Sequence, residues 1–170
     1  MGTETHPAAL AEICALLRQH RLPRWQEIPE LELYMDQVLS LVGRYLGGYP
    51  GFDEKGLTAS MVNNYVKLGV LPPPRKKRYG RAHLARLLII CVLKASLPIA
   101  AIRELTGGED TEAAQEAFYN RFCDFFESAN REAADAHSGE TETSRTDAAC
   151  RAALRAQAEQ ALAALLCSKL

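Results

Sequence analysis

No apolar run in the 170-residue sequence approaches the roughly 20 residues that a helix needs to cross a bilayer. The run over residues 87–93, which no other run exceeds in length, would extend less than half of the way across. Residues 1–20 contain Glu4 and Glu12 and lack a basic start followed by an apolar core, so they do not resemble a secretory signal. We therefore expect a cytoplasmic protein with no membrane partner.

The sequence also lacks the motifs that support metal binding or catalysis. No Cys-x-x-Cys pair, nucleophile elbow, phosphate-binding glycine loop or His-Glu-x-x-His motif is present, and the four histidines are scattered. We predict no enzymatic activity, no metal and no cofactor, and a small-molecule-binding enzyme is the least supported hypothesis. The cysteines are expected to be reduced and mostly buried as small apolar side chains. They are Cys14, Cys91, Cys123, Cys150 and Cys167.

Negative charge is almost absent from the middle of the chain. Residues 55–105 contain ten basic residues and a single acid, Glu104, which is a surplus of nine positive charges. Because the whole chain has a net charge of -1, the remaining residues carry a net charge of -10. Clustered Lys and Arg favour a polyanionic partner through phosphate neutralisation and counterion release.

Apolar residues recur at spacings of three and four over most of the chain, which predicts a mainly α-helical fold. We expect an N-terminal helix and connector over 1–30, a central domain over 31–108, and a helical region over 109–170 that serves dimerisation or effector binding. The predicted helices span about 8–19, 31–46, 59–67, 81–94, 98–106, 111–130 and 147–166, with an exposed linker over 132–146.

The helix predicted over 59–67 has one apolar and one polar face. Thr58 is placed to cap its beginning, and Gly69, followed by three prolines, is placed to end it. Val62, Tyr65 and Val66 share the apolar face, opposite a face that is rich in amides. Four consecutive cations, residues 75–78, then lead to Tyr79 and predict a short hairpin, or wing.

A polar helix face next to a basic hairpin provides two ways of holding duplex DNA. Asparagine can pair with the N6 and N7 edge of adenine, lysine can contact guanine or phosphate, and the hairpin cations can neutralise phosphates. The alternative is a solvated face next to a basic run that only aids solubility. The predicted DNA contacts are Ser60, Asn63, Asn64, Tyr65, Lys67, Arg75, Lys76, Lys77, Arg78, Tyr79 and Arg81. For Tyr65 and Tyr79, packing is the commoner role.

The order of residues 61–72, the basic stretch, Tyr79, His83-Leu84 and residues 96–105 resembles the MerR family. A longer match over about 25–105, which includes residues 32–38 and Leu57-Thr58, is similar to a bacterial family catalogued as a domain of unknown function with a MerR-like fold.

The resemblance implies a winged helix-turn-helix with added N- and C-terminal helices. It implies DNA binding through the second helix and the wing, with Asn63, Asn64, Tyr65 and Lys77 at contact positions. It also implies a homodimer formed by a long C-terminal helix, to which residues 111–130 could correspond. Two features depart from the MerR pattern: Asn63 replaces an arginine, and the 47–56 loop is longer.

The sequence therefore predicts a DNA-binding transcriptional regulator that acts as a homodimer on double-stranded DNA. The alternative is a protein-interaction module that kept the winged-helix scaffold and does not bind DNA.

Overall fold

A computed structural model describes residues 6–50, 52, 56–108, 111–137 and 145–168, without the side chains of 6–9 and 145. Within these ranges the chain forms seven α-helices, which confirms the mainly helical prediction. They are α1 (His6–Gln19), α2 (Met35–Leu46), α3 (Ala59–Lys67), α4 (Arg81–Leu93), α5 (Ile99–Thr106), α6 (Glu112–His137) and α7 (Arg145–Cys167). A single 3-10 turn, Trp25–Glu27, lies between α1 and α2.

Helix α4 is the centre of the core because apolar residues occupy most of its circumference. It packs against α2, α5 and α6. Its buried residues are Leu84, Ala85, Leu87, Leu88, Ile89, Ile90 and Cys91. Such a helix is buried on several sides, so α4 fixes the positions of the elements around it.

The segment between α1 and α2 belongs to the same core as the central helices. Leu22, Trp25 and Ile28 are each at most 2% exposed and join the cluster that contains the α4 residues. Arg24 extends from this segment to α6, where its guanidinium lies 2.7 Å from Asp124 and 3.0 Å from Glu127. The central helices therefore share one core with the N-terminal connector and with α6.

Two predicted boundaries are wrong. Helix α2 begins at Met35, not at residue 31, because the backbone of Leu33 is extended and paired with Tyr79. Residues 132–137, predicted as part of an exposed linker, continue α6, in which Ala134 is fully buried. The predicted linker residues 138–144 lie outside the described residues.

The five cysteines have free thiols, and three of them are buried as predicted. Cys14, Cys91 and Cys123 are buried, which confirms the expectation for these positions, whereas Cys150 is exposed and Cys167 is partly exposed. Burial raises the pKa of both Cys91 and Cys123 to about 11. Among the described helices, none combines the length and the apolar character of a membrane span.

Candidate nucleic-acid interface

Helix α3 has well-defined ends, as its sequence predicts. The Oγ1 atom of Thr58 accepts a hydrogen bond from the backbone N–H of Met61 at 3.2 Å. At the other end Gly69 adopts a φ of +71°, and the N–H groups of Gly69 and Val70 donate to the carbonyls of Val66 and Tyr65. This is a Schellman motif, for which glycine at the left-handed position carries no steric cost. The helix is therefore limited to nine residues.

The two faces of α3 differ in burial as its sequence pattern predicts. Val62 and Tyr65 are buried in the core, and α3 packs against α2. The opposite face exposes Ser60, Asn63, Asn64 and Lys67. Neither asparagine side chain forms a hydrogen bond within the described part of the chain, so both amides are available to an external partner.

Residues 75–78, called the basic turn below, form a tight two-residue hairpin. Arg75 and Arg78 exchange backbone hydrogen bonds of 3.1 and 2.9 Å, and Lys76 and Lys77 occupy its tip with φ of 49° and 62°. Positive φ at both central positions is the requirement of a type I′ turn, where Asn and Gly are favoured. Two lysines at these positions store backbone strain, which is commonly found at functional sites.

A second backbone pair holds the base of the basic turn. Leu33 and Tyr79 exchange N–H···O hydrogen bonds of 2.8 and 2.9 Å in an antiparallel bridge. Arg78 is thus paired with Arg75, and the next residue, Tyr79, is paired with Leu33. The turn is therefore held by the segment that precedes α2.

His83, in the first turn of α4, also supports the base of the basic turn. Its Nδ1 accepts a hydrogen bond from the backbone N–H of Gly80 at 3.1 Å, and its Nε2 lies 3.4 Å from the carbonyl oxygen of Pro73. Its ring packs edge-on against the ring of Tyr79. Burial lowers the pKa of His83, which favours the neutral ring that accepts from Gly80.

The cations of this region differ from those of the N-terminal segment in their partners. Arg18, Arg21 and Arg24 each lie within 3.0 Å of at least one carboxylate oxygen. By contrast, no carboxylate of the described residues forms an ion pair with Lys67 or with any cation of the basic turn. The positive charge of this region is therefore not neutralised within the part of the chain that the structure describes.

Three of the eleven predicted contact residues have structural roles instead. Tyr65 is 5% exposed and Tyr79 is 3% exposed, and both rings lie in the core. Arg81 is partly buried: its Nε donates to the carbonyl of Ile28 at 2.8 Å, and its guanidinium lies 3.3 Å from Glu30 and over the Trp25 ring. The other eight residues are exposed on α3 and on the basic turn.

Sequence reasoning missed one exposed residue beside the basic turn. Tyr34, which falls within the helix predicted over 31–46, precedes α2 and is 50% exposed. The Arg78 guanidinium lies 4.9 Å from the centre of its ring and donates to its hydroxyl at 2.9 Å. The only local signal for this position is Gln37, whose side chain accepts a hydrogen bond from the Tyr34 N–H. That bond is typical of a helix beginning after Tyr34.

The described residues define a helical protein that presents a polar helix face and a basic turn whose cations have no carboxylate partner among these residues. Residues 23–122 match the family described as Domain of unknown function (DUF1836), and because this is more than half of the chain, the chain belongs to that family. The match confirms the predicted membership in a domain family of unknown function, whereas the likeness to MerR proteins stays a prediction. No curated protein and no solved structure matches the chain significantly.

Proposed function

We propose that the protein is a cytoplasmic DNA-binding regulator of transcription. In this proposal α2 and α3 form a MerR-like helix-turn-helix, α3 contacts bases in the major groove, and the basic turn is the wing that holds the phosphate backbone. The observation that carries the proposal is the basic turn itself, which places two strained lysines between two arginines with no carboxylate partner among the described residues.

The strain at the tip argues for a role of the lysine charges. A type I′ turn is most stable with Asn or Gly at its centre, and left-handed backbone at other residues costs on the order of 1 kcal/mol or more at each. Lys76 and Lys77 therefore lower the stability of the turn while adding two charges to it. A phosphate backbone is the partner that gains most from four clustered cations, because each contact releases counterions.

The exposed face of α3 supplies the chemistry needed for base contacts. Asn63 and Asn64 each carry a donor and an acceptor that fit adenine, and Lys67 can donate to guanine or to a phosphate. Val62 and Tyr65 fix the opposite face of the helix in the core. A rigid helix that presents short amide side chains is suited to sequence-dependent contacts.

We also propose that the protein acts as a homodimer formed through its C-terminal helices. The contact is assigned to α7 and not to residues 111–130, because Tyr119, Cys123 and Phe126 of α6 are buried in the chain's own core. Ala163 and Cys167 of α7 pack against the core near α5. The leucines of α7 lie on another face of the helix, and between 53% and 66% of each is exposed: Leu154, Leu162, Leu165 and Leu166. An exposed apolar stripe on an alanine-rich helix favours close packing against a second helix.

The same stripe favours one alternative, a protein-interaction module that does not bind DNA. Its leucines would then bind a helix of a different protein. The two proposals differ in what they require of the basic turn, since only DNA binding depends on its charges.

Duplex binding at several salt concentrations tests the proposal. Fluorescence anisotropy with a labelled duplex should give an affinity that falls steeply as salt increases. Replacement of Arg75, Lys76, Lys77 and Arg78 by alanine should reduce the slope of log K against log[salt] by about 3 to 4 units, since each phosphate contact contributes about 0.9.

A matched variant controls for net charge. Glutamine at Arg18, Arg103, Arg121 and Arg131, all exposed on α1, α5 and α6, removes the same number of charges elsewhere and should change the slope much less. Equal loss of slope in both variants would show that binding follows net charge alone. Failure of the folded wild-type protein to bind any duplex at low salt would overturn the proposal.

A further inference from the structure

Tyr34 and Arg78 form an exposed pair that combines two kinds of contact. The Arg78 guanidinium donates to the Tyr34 hydroxyl oxygen at 2.9 Å, and its central carbon lies 4.9 Å from the centre of the ring. Both side chains are exposed, Tyr34 by 50%. The two residues are 44 positions apart in sequence, so only the fold brings them together.

The backbone holds both members of the pair in place. The Tyr34 N–H donates to the side chain of Gln37 at 2.9 Å, and its neighbour Leu33 is paired with Tyr79. Arg78 is paired with Arg75 across the basic turn. Hydrogen bonds therefore hold the backbone at Tyr34 and at Arg78 in place, although both side chains extend to solvent.

The direction of the hydrogen bond leaves donors available. A phenol has one O–H donor, and in Tyr34 its oxygen already accepts from Arg78, so the proton is directed elsewhere. No acceptor for this proton is present among the described residues. Arg78 has five N–H donors and uses one of them on Tyr34. The pair can therefore donate from both members to a single acceptor that carries several oxygens.

We propose that Tyr34 and Arg78 bind one phosphate of the DNA backbone jointly. Arg78 supplies the charge and one or two N–H donors, while Tyr34 supplies its O–H and keeps the guanidinium in position beneath that phosphate. This inference rests on the proposed DNA binding and adds to it a residue from outside α3 and the basic turn. Tyrosine hydroxyls and arginines are common donors to DNA phosphates.

Tyr34→Phe is the direct test, because it removes only the hydroxyl and retains the ring below Arg78. The expected result is a loss of duplex affinity of about fivefold, the effect of one hydrogen bond, with an unchanged salt slope because no charge is removed. Arg78→Gln should lower the slope by about 0.9. When Arg78 is already replaced by glutamine, Tyr34→Phe should reduce duplex affinity by clearly less than fivefold, because the guanidinium that Tyr34 positions is absent.

Tyr45→Phe is the matched control. It removes a hydroxyl that donates to the carbonyl of Glu27 at 3.4 Å, away from the basic turn, and should leave duplex affinity unchanged. Suppose that the wild-type protein binds duplex and that the variant with alanine at residues 75–78 does not. If Tyr34→Phe then retains full affinity, the joint phosphate contact is refuted while the proposed function stands. Absence of duplex binding by the folded wild-type chain overturns both.

Discussion

The imidazole of His83 connects the beginning of α4 to Pro73, with Nε2 3.4 Å from the Pro73 carbonyl oxygen. Its other nitrogen, Nδ1, accepts from the Gly80 N–H. One side chain thus bridges the chain segments on either side of the basic turn. Protonation of Nδ1 would remove the hydrogen bond to Gly80, so the support of the turn depends on a neutral ring.

We predict that stability decreases on mild acidification. Burial lowers the pKa of His83 in the folded state below its ordinary value of about 6.5, and burial lowers the pKa of His20 in the same direction. The unfolded state therefore binds protons first as the pH decreases. Both histidines contribute fully to the stability of the folded state above about pH 6.5, and this contribution is lost as the pH falls below that value.

Urea unfolding between pH 8 and pH 5 measures this effect. Between pH 8 and pH 5 the free energy of unfolding should decrease less in His83→Gln than in the wild type. His20→Gln is the parallel variant for the second histidine. An identical pH dependence in wild type and His83→Gln would refute the role assigned to His83.

We predict opposite effects on stability and binding from a redesign of the turn tip. Lys76→Asn with Lys77→Gly fits the type I′ turn, so the free energy of unfolding should increase by about 1 to 2 kcal/mol. The same change removes two charges and should decrease the salt slope of duplex binding by up to about 2 units. Thermal unfolding and anisotropy measure the two effects. A less stable variant would contradict the turn geometry, and an unchanged slope would contradict the phosphate contacts.

Thiol reactivity should distinguish the cysteines. Cys91 and Cys123 are buried with pKa raised to about 11, so at pH 8 they remain largely as unreactive thiols. Exposed Cys150 should react first with a disulfide reagent, followed by Cys167, and the other three only after unfolding. Immediate reaction of three or more thiols in the native protein would be inconsistent with the core described above.

The leucines of α7 should control self-association. Leu162→Gln with Leu165→Gln should shift the protein towards monomer in sedimentation equilibrium, since both side chains lie on the exposed apolar stripe. Ala152→Gln with Ala156→Gln, on other exposed positions of the same helix, is the matched control and should retain the dimer. A wild-type protein that stays monomeric at high concentration would exclude the homodimer.

Local features of the chain could be predicted from the sequence because local forces determine them. Thr58 and Gly69 set the ends of α3, and apolar spacing determines which face of that helix is buried. The short hairpin at residues 75–78 follows from its position between three prolines and an apolar helix. These features depend on neighbours within a few residues.

The features that sequence reasoning missed depend on distant partners. Arg81 is one of five basic residues within seven positions, yet it turns inward because the Ile28 carbonyl and Glu30 lie within its reach. Tyr34 lies beside Arg78 because Leu33 pairs with Tyr79 across 46 residues. No pattern in the neighbouring sequence indicates either contact.

Selection of bound duplexes from a random pool tests the central claim most directly. The wild-type protein should enrich a defined sequence, whereas Asn63→Ala with Asn64→Ala should weaken that preference more than it weakens total binding, because base contacts carry the discrimination. Recovery of the wild-type pool without any enriched sequence would contradict base recognition by α3.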